Sequence, residues 1–319
     1  MADQVQITIV GTGCIGTSIG LALHQTKQPL LVVGHDKEPG HANTARTMKA
    51  IDKSDWNLIS ACENADLVIL ATPLNAIEPT LKAAGPYFKE GSVVTDTASL
   101  KAPVVEWAAA LLPPSVHFVG GDPVVTSTGS GPEAASVDLF RNSLYCITPT
   151  PNTHPDAVSL ISGLAALLGG RPYYLDAVEH DGLVAGVAHL PHALALAMVR
   201  SSSRQGAWRE LRKLAGGSFE QIGAVLGEDP DALADLLLAN RDNLARWLDS
   251  YGAELQAVRA LVAAGEREPL AQAIDQALVA YRQWGSDRRN LFNEASPGSE
   301  IERPDFLRQM LLGGRLGRK

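Results

Sequence analysis

Apolar and polar positions follow two different rhythms along this chain. From residue 6 to about 150, short runs rich in β-branched residues recur at 6–10, 30–34, 66–73, 92–96, 117–121 and 144–149, each closed by turn residues. Runs this short and this continuously apolar read as strands buried on both faces. Helical spacing fills the intervals. Ile15, Ile19 and Leu23 recur at every fourth position, and 76–84, 102–112 and 133–140 suit helices. Alternation of this kind predicts a doubly wound, Rossmann-type parallel sheet with helices on both faces. The helical run 156–168 stops at Gly169-Gly170, and 172–175 reads as the last strand.

Near residue 176 the rhythm changes. The segments 177–203, 206–215, 230–250, 252–264 and 268–284 all suit helices, and Asp229-Pro230 is a helix-start signal. The expected organisation is an α/β domain over 1–175, an all-helical domain over 176–285 and a flexible polar tail over 286–319.

The first strand runs directly into Gly11-Thr12-Gly13-Cys14-Ile15-Gly16, a G-x-G-x-x-G pattern opening a helix. Gly11 suits the tight turn, Gly13 close approach of a pyrophosphate and Gly16 helix-on-strand packing, while the helix start, from Cys14 and Ile15, offers free N–H groups. The second strand ends at Asp36, twenty residues beyond Gly16, where a carboxylate accepts hydrogen bonds from ribose hydroxyls. A dinucleotide site is therefore expected. Asp36 favours NAD, because its charge repels a 2′-phosphate; Lys37 and His35 beside it keep NADP open.

Composition narrows the partners. The chain has 319 residues, 45% of them hydrophobic, and a net charge of −8. That balance argues against nucleic acid and an anionic membrane surface. No apolar run is read as long enough to span a membrane, and the start lacks a signal-peptide profile, so a cytoplasmic protein acting on a small molecule is expected. Three scattered cysteines, Cys14, Cys62 and Cys146, form neither a disulfide framework nor a metal pattern. His189 and His192 lie three apart on a helix without a third ligand nearby, so no metal is expected.

In open α/β sheets, ligands bind beyond the carboxyl ends of the strands. The residues there are Thr72-Pro73, Asp96 to Lys101 with Ser99 between, and Gly121-Asp122-Pro123; the first long helix of the second domain adds Glu179-His180-Asp181 and His189-Leu190-Pro191-His192. Ser99 suits either a substrate contact or a cap for the helix starting near Ala102, and Asp181 suits the first turn of its own helix. The polar loop from Thr126 to Gly131 either cradles substrate or merely turns the chain.

Asp96-x-x-Ser99-x-Lys101, Gly120-Gly121-x-Pro123, Glu179-His180-Asp181 and His189-x-Pro191-His192 together resemble the prephenate and arogenate dehydrogenases of tyrosine biosynthesis, over about residues 6 to 284. The resemblance implies an NAD-dependent oxidative decarboxylation of a cyclohexadienol to an aromatic product, performed by a homodimer. It implies that Ser99 holds the reacting hydroxyl and the nicotinamide and that His189 and His192 shape the substrate pocket; Thr72 and Pro73 are expected at the cofactor from their place at a strand end. Two positions depart from the family pattern. Asp122 stands where the family has its catalytic histidine. Counting back from Asp229-Pro230 without a gap, Ala224 stands where it has an arginine for a substrate carboxylate. An aspartate base and a missing cation disfavour a dianionic substrate, with Arg204, Arg209, Arg212 and Lys213 as candidate compensation. Two alternatives follow: a family member turned to a less anionic substrate with Asp122 as acid or base, and a non-catalytic NAD-binding protein.

Overall fold

The computed structural model describes residues 4–26, 29–126, 129–227 and 229–293. Strands β1 (Val5–Val10), β2 (Leu30–His35), β3 (Lys53–Ser54), β4 (Leu67–Leu70), β5 (Val93–Asp96), β6 (His117–Pro123), β7 (Leu144–Thr148) and β8 (Arg171–Tyr174) form one sheet in the order β3-β2-β1-β4-β5-β6-β7-β8. The first six strands follow the order of a dinucleotide-binding sheet. Successive side chains feed opposite faces. Ile7 and Ile9 of β1 and Leu67 and Ile69 of β4 join one core, while Val10, Val68 and Leu70 join the other. Both faces are covered, which is why β4 is apolar throughout; the alternating Gln6 and Thr8 of β1 are buried and both donate to the Ala61 carbonyl, at 3.0 and 2.5 Å.

The sheet is not parallel throughout. β7 runs antiparallel to β6, with Asp122 opposite Cys146 and Gly121 opposite Ile147. The helix expected over 133–140 is absent: Pro132–Ala134 makes one tight turn, and Asn142 takes a left-handed φ of 57°. A parallel return would need a crossover helix; without one the chain comes back beside β6 in the opposite sense. The apolar residues that imitated a helix pattern serve packing instead, with Phe140 fully buried and Val137 and Leu139 packed against the same core.

The described chain divides into two compact units. One takes residues up to Val184 together with Asp229–Ala239; the other takes 185–227 and the residues from Asn240 on. The division thus falls nine residues beyond the expected 175. The helix Pro230–Ala239 returns to the first unit, where Asp235 accepts from Asn75 Nδ2 at 2.9 Å and Leu236 packs on the sheet's core. The expected run 230–250 accordingly breaks at Asn240, the N-cap of the next helix, Arg241–Ala264. That helix continues through Gly252, since one glycine costs a helix only about 1 kcal/mol. The last described helix, Arg267–Asn293, extends into the segment expected to be a flexible tail; 294–319 lies outside the described residues.

The helical run Ala177–Ser203 passes from the first unit into the second. By length and composition it is apolar enough to cross a membrane, which corrects the expectation that no run reaches that length. Glu179, Asp181 and Arg200 break the apolar run in sequence but not the helical run.

Candidate active site

The glycine turn has the geometry of a phosphate cradle. Gly11 has a φ of +93°, and a Cβ there would lie 2.4 Å from the carbonyl oxygen of Ala71. A Cβ on Gly16 would lie 1.9 Å from the Gly11 oxygen, so helix and strand meet backbone to backbone. Gly13 is the N-cap of the helix Cys14–Gln25, and a Cβ there meets nothing within 4 Å. The first amide of this helix to reach back to Gly13 is that of Thr17, at 3.0 Å. The N–H groups of Cys14, Ile15 and Gly16 thus precede the helix's own ladder, beside open space.

Asp36, just past β2, is tied to that turn: its Oδ2 accepts from the Thr12 amide at 2.7 Å and the Thr12 hydroxyl at 3.1 Å. Across the turn, Thr72 Oγ1 is buried and lacks a hydrogen-bond partner in the described structure. Pro73 caps the following helix, Leu74–Ala84. Bare glycine surface, a helix N-terminus, a placed carboxylate and an orphaned hydroxyl together fit a dinucleotide.

Two strands further along the same sheet edge lies a buried ionic cluster. Asp96 ends β5, and its Oδ2 pairs with Lys101 Nζ; neither side chain is exposed to solvent. Lys101 Nζ also donates to the Gly121 carbonyl at 2.6 Å, while the amides of Ala98 and Gly121 donate to Asp96 at 3.1 and 3.2 Å. Burial pushes the Asp96 carboxyl up, against the pull of Lys101 and those amides.

Asp122, on β6, is the next residue after that carbonyl. Its Oδ2 lies 3.1 Å from Nε2 of His180, whose Nδ1 lies 3.0 Å from Asp181 Oδ1. Asp181 in turn accepts from the amides of Lys101 and Ala102 at 2.7 and 2.8 Å. It therefore caps the helix Ala102–Leu111, the role left open for Ser99, and it does so for a helix other than its own. Ser99 is half-buried in the loop between Asp96 and Lys101. Burial alone would lower the His180 pKa. Hydrogen bonds with Asp122, Asp181 and Cys146 and the charge of Asp122 outweigh it and raise the value to about 11. The ring is thus an imidazolium at neutral pH.

The first unit therefore brings together Asp122 and the His180-Asp181 pair, with the Gly11–Gly16 turn and Asp36 at the same sheet edge. The other two predicted pocket residues belong to the second unit. His189 is buried and its Nδ1 lies 3.1 Å from Asn240 Nδ2; His192 Nδ1 lies 2.7 Å from the Val225 carbonyl. Between these histidines and His180 the helix widens into a π turn over Ala185–His189. Pro191 supplies the cause, because it has no N–H to offer the carbonyl four residues back. Ala224 is the exposed last residue of the helix Gly217–Ala224. Of the loop Thr126 to Gly131, residues 127 and 128 lie outside the described residues.

Comparison with known proteins points one way. The family profile described as "Prephenate dehydrogenase, nucleotide-binding domain" matches residues 19–174, and "Prephenate dehydrogenase, dimerization domain" matches 176–276. The chain is 30% identical over 269 residues to the prephenate dehydrogenase of Bacillus subtilis, spanning 83% of this chain and 72% of that one. It is 27% identical over 266 residues to the cyclohexadienyl dehydrogenase of Zymomonas mobilis, spanning 83% and 90%. Among solved structures, Synechocystis arogenate dehydrogenase superposes with a TM-score of 0.70 at 25% identity, over 88% of this chain and all of that one. The Aquifex aeolicus prephenate dehydrogenase, solved with hydroxyphenyl propionate and NAD+, shares the fold with a TM-score of 0.81 at 24% identity, over 88% and 98%.

Proposed function

The chain belongs to the prephenate dehydrogenase family, and on that premise we propose that it is a cytoplasmic, homodimeric, NAD-dependent dehydrogenase that oxidatively decarboxylates a cyclohexadienol, prephenate or arogenate. The observation that carries this reading is a pair of features along one sheet edge: the Gly11–Gly16 cradle with Asp36, and the buried Asp122 near the end of β6 with His180 against it.

When bound, NAD supplies the hydride acceptor. The residues of the chain hold and orient the reactants. Gly11, Gly13, Cys14, Ile15 and Gly16 hold the pyrophosphate, Asp36 the ribose, and Thr72 and Pro73 the edge of the nucleotide. Asp36 selects NAD by repelling a 2′-phosphate, so Asp36→Ser is expected to raise relative use of NADP, read as the ratio of kcat/KM values for the two cofactors. Ser99 contacts the reacting hydroxyl; His189 and His192 line the substrate pocket.

Asp122 does not stand alone as an anion; the imidazolium of His180 offsets it at 3.1 Å. A dianion therefore meets one cation shared between two carboxylates, Asp122 and Asp181, instead of an isolated anion.

For the homodimer, the helix Arg241–Ala264 exposes Tyr251, Leu255, Val258 and Val262, and Arg267–Asn293 exposes Ile274, Leu278 and Tyr281. Spacings of three and four put each set on one helix face, an apolar stripe suited to a partner. NADH formation with prephenate or arogenate tests the whole reading. Tight NAD binding without turnover of either would return the chain to a non-catalytic role.

A further inference from the structure

We propose that Asp122 is the catalytic residue that takes the substrate's hydroxyl proton in this chain, and that His180, held by Asp181, is the positioning residue that keeps Asp122 an oriented anion. This rests on the dehydrogenase reading above.

A neutral imidazole has one N–H and one acceptor nitrogen. Both nitrogens of His180 face carboxylate oxygens, Asp122 Oδ2 at 3.1 Å and Asp181 Oδ1 at 3.0 Å. Ionised carboxylates only accept, so both nitrogens carry protons. The groups facing the ring are Asp122 from β6, Cys146 from β7 and Asp181 from its own helix; none is a cation. His180 therefore has no lone pair with which to act as a base.

The remaining carboxylates are spent. Asp181 accepts from the amides of Lys101 and Ala102 as well as from His180. Asp96 accepts from Lys101, Ala98 and Gly121 and is fully buried. Asp122 shows only the contact with His180 among the described residues, and its side chain keeps 10% exposure at the carboxyl edge of the sheet. It is the one acidic group of the cluster with acceptor capacity and access together.

The step balances. The substrate O–H bond breaks and its proton passes to Asp122. The C–H electron pair on the same carbon leaves as hydride to NAD+, and the C–O bond becomes a carbonyl. Loss of carbon dioxide sends the C–C pair through the ring to that oxygen, and the resulting phenolate takes the proton back from Asp122. While Asp122 is neutral, the His180 cation keeps Asp181 as its only carboxylate partner among the described residues, at 3.0 Å.

The test compares NADH formation by the wild type, Asp122→Asn and His180→Gln across pH. Asp122→Asn is expected to lower kcat by roughly 10²–10⁴-fold. His180→Gln keeps a hydrogen-bond donor but not the charge, and is expected to lower kcat by at least about tenfold while leaving the KM for NAD unchanged. Wild-type kcat/KM should show no inflection near pH ~6.5, where a free imidazole titrates. Two results would overturn the proposal: Asp122→Asn retaining wild-type kcat, or a wild-type inflection in the imidazole range that His180→Gln abolishes.

Imidazole nitrogen NMR on the wild type guards against variants that fail to fold. Two protonated ring nitrogens on His180 at about pH 8, well above the free-imidazole range, support the pair; one unprotonated nitrogen overturns it. If the wild type binds NAD but turns over neither substrate, the dehydrogenase reading fails and the NMR result still judges the pair.

Discussion

His180 and Asp122 meet across 58 positions of sequence, and the ionic state of the pair has a consequence for stability. The folded His180 holds its proton up to about pH 11, whereas an unfolded imidazole releases it near pH ~6.5. Between those values the folded state binds a proton that the unfolded state lacks, so stability falls as pH rises. Thermal unfolding from pH 6.5 towards 10 is expected to show that fall, and His180→Gln is expected to flatten it. A second outcome concerns Asp122→His. It sets a second imidazole against His180 Nε2 and removes the anion that keeps His180 charged. Activity is expected to drop, measured as kcat with prephenate. Asp122 itself was legible in the sequence as a departure from a motif. Its partner was legible only as a residue type, because a contact between a strand and a distant helix leaves no periodic trace. Asp181 was read as serving its own helix for the same reason; its carboxylate caps the helix Ala102–Leu111 instead.

At the scale of elements, close approach decides where side chains are allowed. A Cβ on Gly186, within the π turn, would lie 2.5 Å from Cε2 of Trp247. The indole is rigid, so Gly186→Ala must displace it or the turn. A loss of about 1–3 kcal/mol is expected, read by chemical denaturation; an unchanged midpoint would show that the turn yields freely. Gly16→Ala meets backbone rather than side chain, at 1.9 Å from the Gly11 oxygen, and is expected to abolish NAD binding measured by calorimetry. The parallel strands and the glycine turn were legible because burial on both faces and the demand for missing Cβ atoms act locally. The region from 133 to 140 was not, since Val137, Leu139 and Phe140 imitate helical spacing while packing as single anchors. Asn240 was missed because the leucines on either side of it carry one apolar pattern through a real break.

For the whole molecule, the two units have different demands. The first builds two cores on its own sheet. The second exposes Leu255, Val258 and Val262 along one helix, and the proposed homodimer would give these a partner. Val258→Asp is expected to shift sedimentation from dimer to monomer. The division into an α/β part and a helical part was legible from the change of rhythm near 176. The return of Pro230–Ala239 to the first unit was not, because nothing in a helix's own sequence states which core it joins. On the proposed reading, this chain performs an oxidative decarboxylation with Asp122 as its base. The most direct measurement is NADH production by the purified wild type given NAD with prephenate and, separately, arogenate. Turnover of at least one, lost in Asp122→Asn, is the predicted result. Firm NAD binding with no NADH from either would contradict the account and assign the intact cradle to another chemistry.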